Sequence, residues 1–172
     1  MIPPEDDIAA RLAEYIDAGD FPGAVIAVAK SSEIVRLVAA GHASLVPPYP
    51  MNEETVFDFA SLTKPLITTT ALLLLVQEGN VSLDATLGDI HENCPDDKAA
   101  ITITDLLAHR SGLEAWYPLY AAGRSIAEYR EFILRHPLAS PPRIKAIYSD
   151  LNFVLLADIV EKLKSNPFSI CM

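Results

Sequence analysis

Apolar and polar positions along this chain change their period twice. Near the start, Ile8, Leu12, Tyr15 and Ile16 recur at helical spacing behind Pro3-Pro4, which predicts an amphipathic helix ending before the turn Asp20-Phe21-Pro22-Gly23. Two short valine-rich runs, Ala24–Ala29 and Ile34–Ala40, then flank Lys30-Ser31-Ser32-Glu33 and read as a β-hairpin. From Ser61 onward the pattern is mainly helical, with loops at Gly79–Asp84, His91–Ala100 and Leu113–Tyr120. The run Leu66–Val76 is almost wholly apolar: Thr68, Thr69 and Thr70 are its polar members, and Gly79 is its stop signal. A helix with no polar face is expected to lie buried in a core. At this length it falls short of the about 20 residues that a membrane span needs.

Composition narrows the function classes. A chain of 172 residues that is 51% hydrophobic suits one domain of ordinary size with a real core. Its formal net charge of −10 argues against nucleic acid or an anionic membrane as a partner. The start, Met1-Ile2-Pro3-Pro4-Glu5-Asp6-Asp7, has no basic segment followed by an apolar one, so a cytoplasmic location is expected, or a periplasmic or secreted one if a leader was removed. Cys94 and Cys171 sit in unrelated contexts and read as thiols. His42, His91, His109 and His136 have no metal-ligand spacing, so neither a metal nor a cofactor is expected.

The chemistry is concentrated in Phe59-Ala60-Ser61-Leu62-Thr63-Lys64-Pro65, an S-x-x-K leading into the apolar run. Residues three apart at a helix start share a face, so a serine hydroxyl can lie beside an amine able to take its proton. A chain of this length carries roughly one S-x-x-K by accident, and the plain alternative makes Ser61 an N-cap and Lys64 a solvated first-turn residue. Tyr148-Ser149-Asp150 opens a second helix, where Ser149 or Asp150 is a good N-cap and Tyr148 could be a half-buried aromatic. Asp105, His109 and Ser111 invite a Ser–His–Asp triad, but Ser111 lacks the strand-to-helix elbow that such a nucleophile uses; His109 reads instead as a helix end bonding the last carbonyls, with Gly112 as the stop. Trp116, Tyr117 and Tyr120 could line an acyl pocket or pack under a loop.

Taken in order, S-L-T-K at 61–64, the L-L-A-H-R-S-G-L stretch at 106–113 and Y-S-D at 148–150 resemble the serine beta-lactamase-related superfamily of class C type beta-lactamases, penicillin-binding proteins and related esterases. The resemblance runs from about Phe21 to Phe168. It implies an incomplete beta-lactamase/transpeptidase-like fold: residues 1–60 give the N-terminal helix and strands of an α/β region, and 61–164 give an all-helical region carrying both motifs. An atypical tail occupies 165–172. It also implies that Ser61 attacks a carbonyl to form an acyl-enzyme, that Lys64 and Tyr148 share the general-base role, and that the Ser61 N–H is one oxyanion donor. The substrate would be a small ester, amide or beta-lactam.

Two departures qualify the resemblance. Asp150 stands where the family commonly has asparagine, keeping an acceptor oxygen and losing an amide donor. The family's third motif, K-[ST]-G or H-x-G on a late strand, has no counterpart; Lys164-Ser165-Asn166 imitates it but ends a helix. The chain therefore reads as a truncated member with impaired chemistry, expected to self-associate or to pair with a missing C-terminal half. The rival reading is a non-catalytic homologue that binds a ligand or partner, or has no function.

Overall fold

Helix α1 (Glu5–Ala18) carries Glu5, Asp6 and Asp7 in its first turn, where carboxylates complement the positive end of the helix dipole. It ends at Gly19, whose φ of 80° is the left-handed stop. Its Leu12 is buried against a sheet formed by β1 (Gly23–Lys30) and β2 (Glu33–Leu45), antiparallel from Gly23 opposite Gly41 to Lys30 opposite Glu33. The turn between them is Ser31-Ser32, with φ of 50° and 70°, the left-handed pair that a two-residue hairpin favours.

The computed structural model describes residues 3–164, which divide after Asp58 into two compact units. The first unit is not the lone hairpin that the sequence suggests. A third strand, β3 (Pro48–Pro50), pairs with the end of β2, giving the order β1-β2-β3. The extension through Gly41-His42-Ala43-Ser44 carries no alternation to announce it, and prolines at an edge strand look like breakers in sequence. Ser165, Asn166 and the tail after them lie outside the described residues.

The second unit begins with a helical run built in three pieces. Ala60–Leu62 is a 3₁₀ turn, Lys64–Thr69 a π turn, and α2 (Thr70–Gln77) an ordinary helix. The wide turn has visible causes: Pro65 contributes no N–H, and the Thr69 and Thr70 hydroxyls donate to the carbonyls of Lys64 and Pro65, five residues back. Then come α3 (Leu87–Ile90), α4 (Asp96–Ala99), α5 (Ile103–Leu107), α6 (Ile126–Arg135) and α7 (Asp150–Lys164). Capping boxes start three of these: Thr86 with Asp89, Thr102 with Asp105, and Ser125 with Glu128.

Helix α7 lies against α2, α5 and α6, and Leu151, Leu155, Leu156 and Ile159 are fully buried among Leu72, Leu75, Leu106 and Ile133. The helix after Ser61 is not buried all round, as its composition suggests. Thr68, Leu72 and Leu75 face the core while Leu66, Leu73 and Leu74 are about half exposed, because α7 covers one face. The continuous run Ala60–Gln77 is also longer than the apolar stretch alone. At 18 residues it is long and apolar enough, by length and composition, to cross a membrane. Of that run 17% is buried, with Leu72 and Leu75 fully enclosed by the helical core.

Candidate active site

Ser61 lies in the 3₁₀ turn just after Ala60, whose φ of 44° turns the chain sharply into the helical run. Lys64 opens the next turn, and its Nζ stands 3.3 Å from Ser61 Oγ. The same Nζ is 2.7 Å from Asp150 Oδ1 and 5.1 Å from the centre of the Tyr148 ring. Tyr148 and Asp150 sit at the entry of α7, so residues more than eighty positions apart in sequence meet here. The Tyr148 phenol lies near enough to Ser61 and Lys64 for both to draw its pKa down. Ser61, Lys64 and Tyr148 open on a cleft of about 520 Å³ whose apolar walls include Phe59, Leu62, Pro65, Leu107 and Phe153. Larger clefts lie along α1, at about 770 Å³, and beside His91 and Asp158, at about 600 Å³; neither brings a nucleophile next to a base.

Electrostatics link the four groups. Burial alone would lower the Lys64 ammonium, but hydrogen bonds and charge from Asp150 and Tyr148 outweigh it and hold Lys64 above the usual lysine value. The side chain is only 14% exposed against 45% for Asp150, so the carboxylate meets it from the wetter side. Hydrogen bonding with Ser61 pulls Tyr148 below the usual phenol value, burial opposes this, and the bond and charge of Lys64 add to the lowering. Both shifts run toward phenolate beside ammonium, the direction that makes Tyr148 the better proton acceptor of the two.

The loop preceding α7 is anchored to α5 and the segment after it. Arg143, itself at a φ of 69°, forks onto Asp105: Nη2 donates at 2.7 Å, Nε at 3.0 Å to the same oxygen, and Nη2 also reaches the Ala100 carbonyl. Burial would raise Asp105, but Arg143 and the Thr102 cap hold it below the usual carboxylate range. Gly112, at a φ of 83°, receives the N–H groups of Ala139 and Ser140, and a Cβ there would run into the Ser140 carbonyl.

Several alternatives fail at this point. The Ser149 hydroxyl donates to the Glu114 carbonyl, so it does not cap α7, and the Asp150 carboxylate pairs with Lys64. Asp105, His109 and Ser111 form no triad: Asp105 serves Arg143, and buried Ser111 donates to Asn152 Oδ1. The His109 ring does not bond the carbonyls ending α5; its Nδ1 accepts the Ser149 N–H at 3.0 Å. Trp116 and Tyr120 are exposed away from the cleft, and Tyr117 packs on Phe132 and His136. Sequence reasoning missed His109, Arg143 and Asn152 as supports of the site. The one signal for Asn152 was a lone amide at the head of an apolar stretch, Leu151–Leu156.

Residues 8–172 match the beta-lactamase family model. The N-acetylmuramyl-L-alanine amidase of Bacillus subtilis (strain 168) is 33% identical over 174 residues, covering 89% of this chain and 40% of that protein. A putative D-alanyl-D-alanine carboxypeptidase of Escherichia coli O157:H7 is 31% identical, covering 91% of this chain and 41% of that one. Among solved structures, the D-amino acid amidase from Ochrobactrum anthropi SV3, complexed with L-phenylalanine, superposes with a TM-score of 0.83 at 28% identity, over 98% of this chain and 47% of that one. A class C beta-lactamase from Rhodobacter sphaeroides shares the fold, at a TM-score of 0.76 and 22% identity, over 94% of this chain and 45% of its own. The chain thus spans about 40% of the length of the curated relatives it matches.

Proposed function

We propose, from the premise that this chain belongs to the beta-lactamase family of serine hydrolases, that it carries the nucleophile and base of an acyl-transfer site. The observation that carries this reading is Lys64 Nζ at 3.3 Å from Ser61 Oγ, 2.7 Å from Asp150 and 5.1 Å from the centre of the Tyr148 ring. Ser61 Oγ attacks a carbonyl carbon as its proton passes to the Tyr148 phenolate. The Lys64 ammonium stabilises that phenolate, and the two titrate as one coupled unit. Tyr148 then returns the proton to the departing amine or alcohol. Water releases the acyl group by the reverse route.

The substrate class is a small amide, ester or beta-lactam. The relatives named as amidases and carboxypeptidases support an amide of the peptidoglycan or amino-acid kind. Asp150 offers substrate an acceptor and no amide donor. The described residues include no strand bringing a second oxyanion donor to Ser61. Losing one such donor costs about 10²–10³ in rate, so slow turnover is expected of this chain by itself. A non-catalytic role is the second reading, favoured by the openness of the site, where Ser61 and Tyr148 are both exposed.

A fluorophosphonate or fluorescent penicillin probe with peptide mapping tests the assignment. Label is expected on Ser61 and lost in Ser61→Ala. Label on Ser111, or equal labelling of the Ser61→Ala variant, overturns it, and absence of all labelling selects the non-catalytic reading.

A further inference from the structure

His109 holds Tyr148 at three points. Its main-chain carbonyl accepts the N–H of Ile147 at 2.8 Å, its Nδ1 accepts the N–H of Ser149 at 3.0 Å, and its ring lies against the Tyr148 ring with centroids 4.6 Å apart. The residues before and after the tyrosine are thus bonded to one histidine, and the tyrosine between them is packed on it. His109 itself sits at a φ of 57°, the left-handed residue just past the end of α5, where the Arg110 N–H returns to the Asp105 carbonyl.

The network also dictates which nitrogen carries the proton. Ser111 Oγ donates to Asn152 Oδ1, which turns the Asn152 amide nitrogen toward His109 Nδ1 at 3.2 Å. With the Ser149 N–H, two donors converge on Nδ1, so that nitrogen is an acceptor and the proton belongs on Nε2. Asn152 and Ser111 are both fully buried, which leaves the amide no solvent to turn toward.

We infer that His109 is a positioning residue for Tyr148, and that it acts only as the neutral Nε2–H imidazole because a proton on Nδ1 expels the Ser149 N–H from its acceptor. The role rests on the acyl-transfer reading, since what it positions is the base of that reaction. The surroundings keep the ring neutral. Burial lowers its pKa below the ordinary 6.5, the Lys64 ammonium lowers it further, and Asp150 opposes them from the start of α7. Tyr148, the titratable group stacked on the ring, is itself biased toward phenolate. Acid therefore removes the grip on Tyr148 as the pH falls through the depressed value, below the ordinary histidine range.

Two measurements on the whole chain test this. Long-range proton–nitrogen NMR of the imidazole should show the Nε2–H form at neutral pH, and the Ser149 amide proton should shift as His109 titrates. An Nδ1–H form, or a Ser149 amide indifferent to that titration, overturns the inference. The second measurement is the rate at which a fluorophosphonate acylates Ser61, followed against pH. His109→Phe keeps a ring without an acceptor and should slow acylation on the order of 10²-fold, the scale of a misplaced catalytic group. His109→Asn puts an oxygen where Nδ1 lies and should restore most of that rate, and both variants should lack the acid-side inflection. Equal rates for His109→Phe and the parent, or no rescue by His109→Asn, count against the role. If the parent chain is not acylated at all, the hydrolase reading falls separately. The tautomer, the Ser149 shift and a return of the Tyr148 pKa toward the free phenol in His109→Phe then decide whether His109 holds Tyr148.

Discussion

Asp150 is the residue at which this site departs most from the pattern it resembles, and its position makes the consequence calculable in sign. Its carboxylate stands 2.7 Å from Lys64 Nζ and supports the ammonium by hydrogen bond and charge, while the same charge raises Tyr148. Replacing it with asparagine removes one negative charge from both. Deprotonation of lysine and of tyrosine then becomes easier, so the two apparent values fall together. The pH profile of Ser61 acylation in Asp150→Asn is expected to move bodily to lower pH. Labelling rates measured between acid and base extremes check this, and a profile that stays in place or moves upward contradicts the ion pair as a determinant of the base.

At the scale of elements, α7 is the member on which both core and site depend. It supplies Tyr148 and Asp150 at its entry and six fully buried side chains along its length, and its Asp158 accepts Arg130 Nη1 of α6 at 3.0 Å. Next to that contact, Asp158 Oδ2 and His91 Nε2 face each other at 3.6 Å, buried and too far apart to share a hydrogen bond. Burial, aided by Lys162 and Arg130, drops His91 from 6.5 to about 4. A histidine depressed in the folded state leaves the unfolded chain binding more protons, so stability is full above the unfolded value and is lost as pH falls through this window. The limit for such a shift is about 3 kcal/mol. Burial raises Asp158, whose contribution has the opposite sense, so the loss is read most cleanly at the upper end of the window. Urea unfolding at stepped pH should show it, and His91→Gln should flatten the slope.

For the whole molecule, the distribution of buried apolar groups is uneven. Among the described residues the first unit contributes Leu12 and Val38 to the buried set, and the rest lie in the helical unit. Meanwhile Ile34, Leu45, Val46 and Tyr49 are exposed on or beside the strands, as are Leu62, Leu66, Leu73 and Leu74 on the helical run. Exposed apolar surface and open strand edges favour association. The chain is therefore expected to sediment as a dimer or larger species at micromolar concentration, with amides of α2 and α7 exchanging more slowly than those of β1 and β2. A clean monomer whose strand amides are as protected as those of α2 contradicts the expectation.

The sequence by itself determined what depends on neighbours in the chain. The amphipathic α1, the Ser31-Ser32 hairpin turn and the helical start at Ser61 follow from local periodicity and turn chemistry, and S-x-x-K brings Lys64 beside Ser61 because both lie within one turn. The ordered motifs also sufficed for the family. Only the tertiary structure decided what depends on partners far along the chain. The third strand needed the end of β2 to pair with, and the half-exposure of the apolar helix followed from α7 covering one face. The same holds for the side chains around Tyr148. Ser149 looked like a cap until its hydroxyl met the Glu114 carbonyl, and the His109 side chain, at the end of α5, looked bound to the last carbonyls until its Nδ1 met the Ser149 N–H forty residues away. A hydrogen-bonding side chain has a local option and a distant one, and sequence reveals the local option alone. Which of the two is taken is settled by the packing that brings the distant partner within reach and shuts out water.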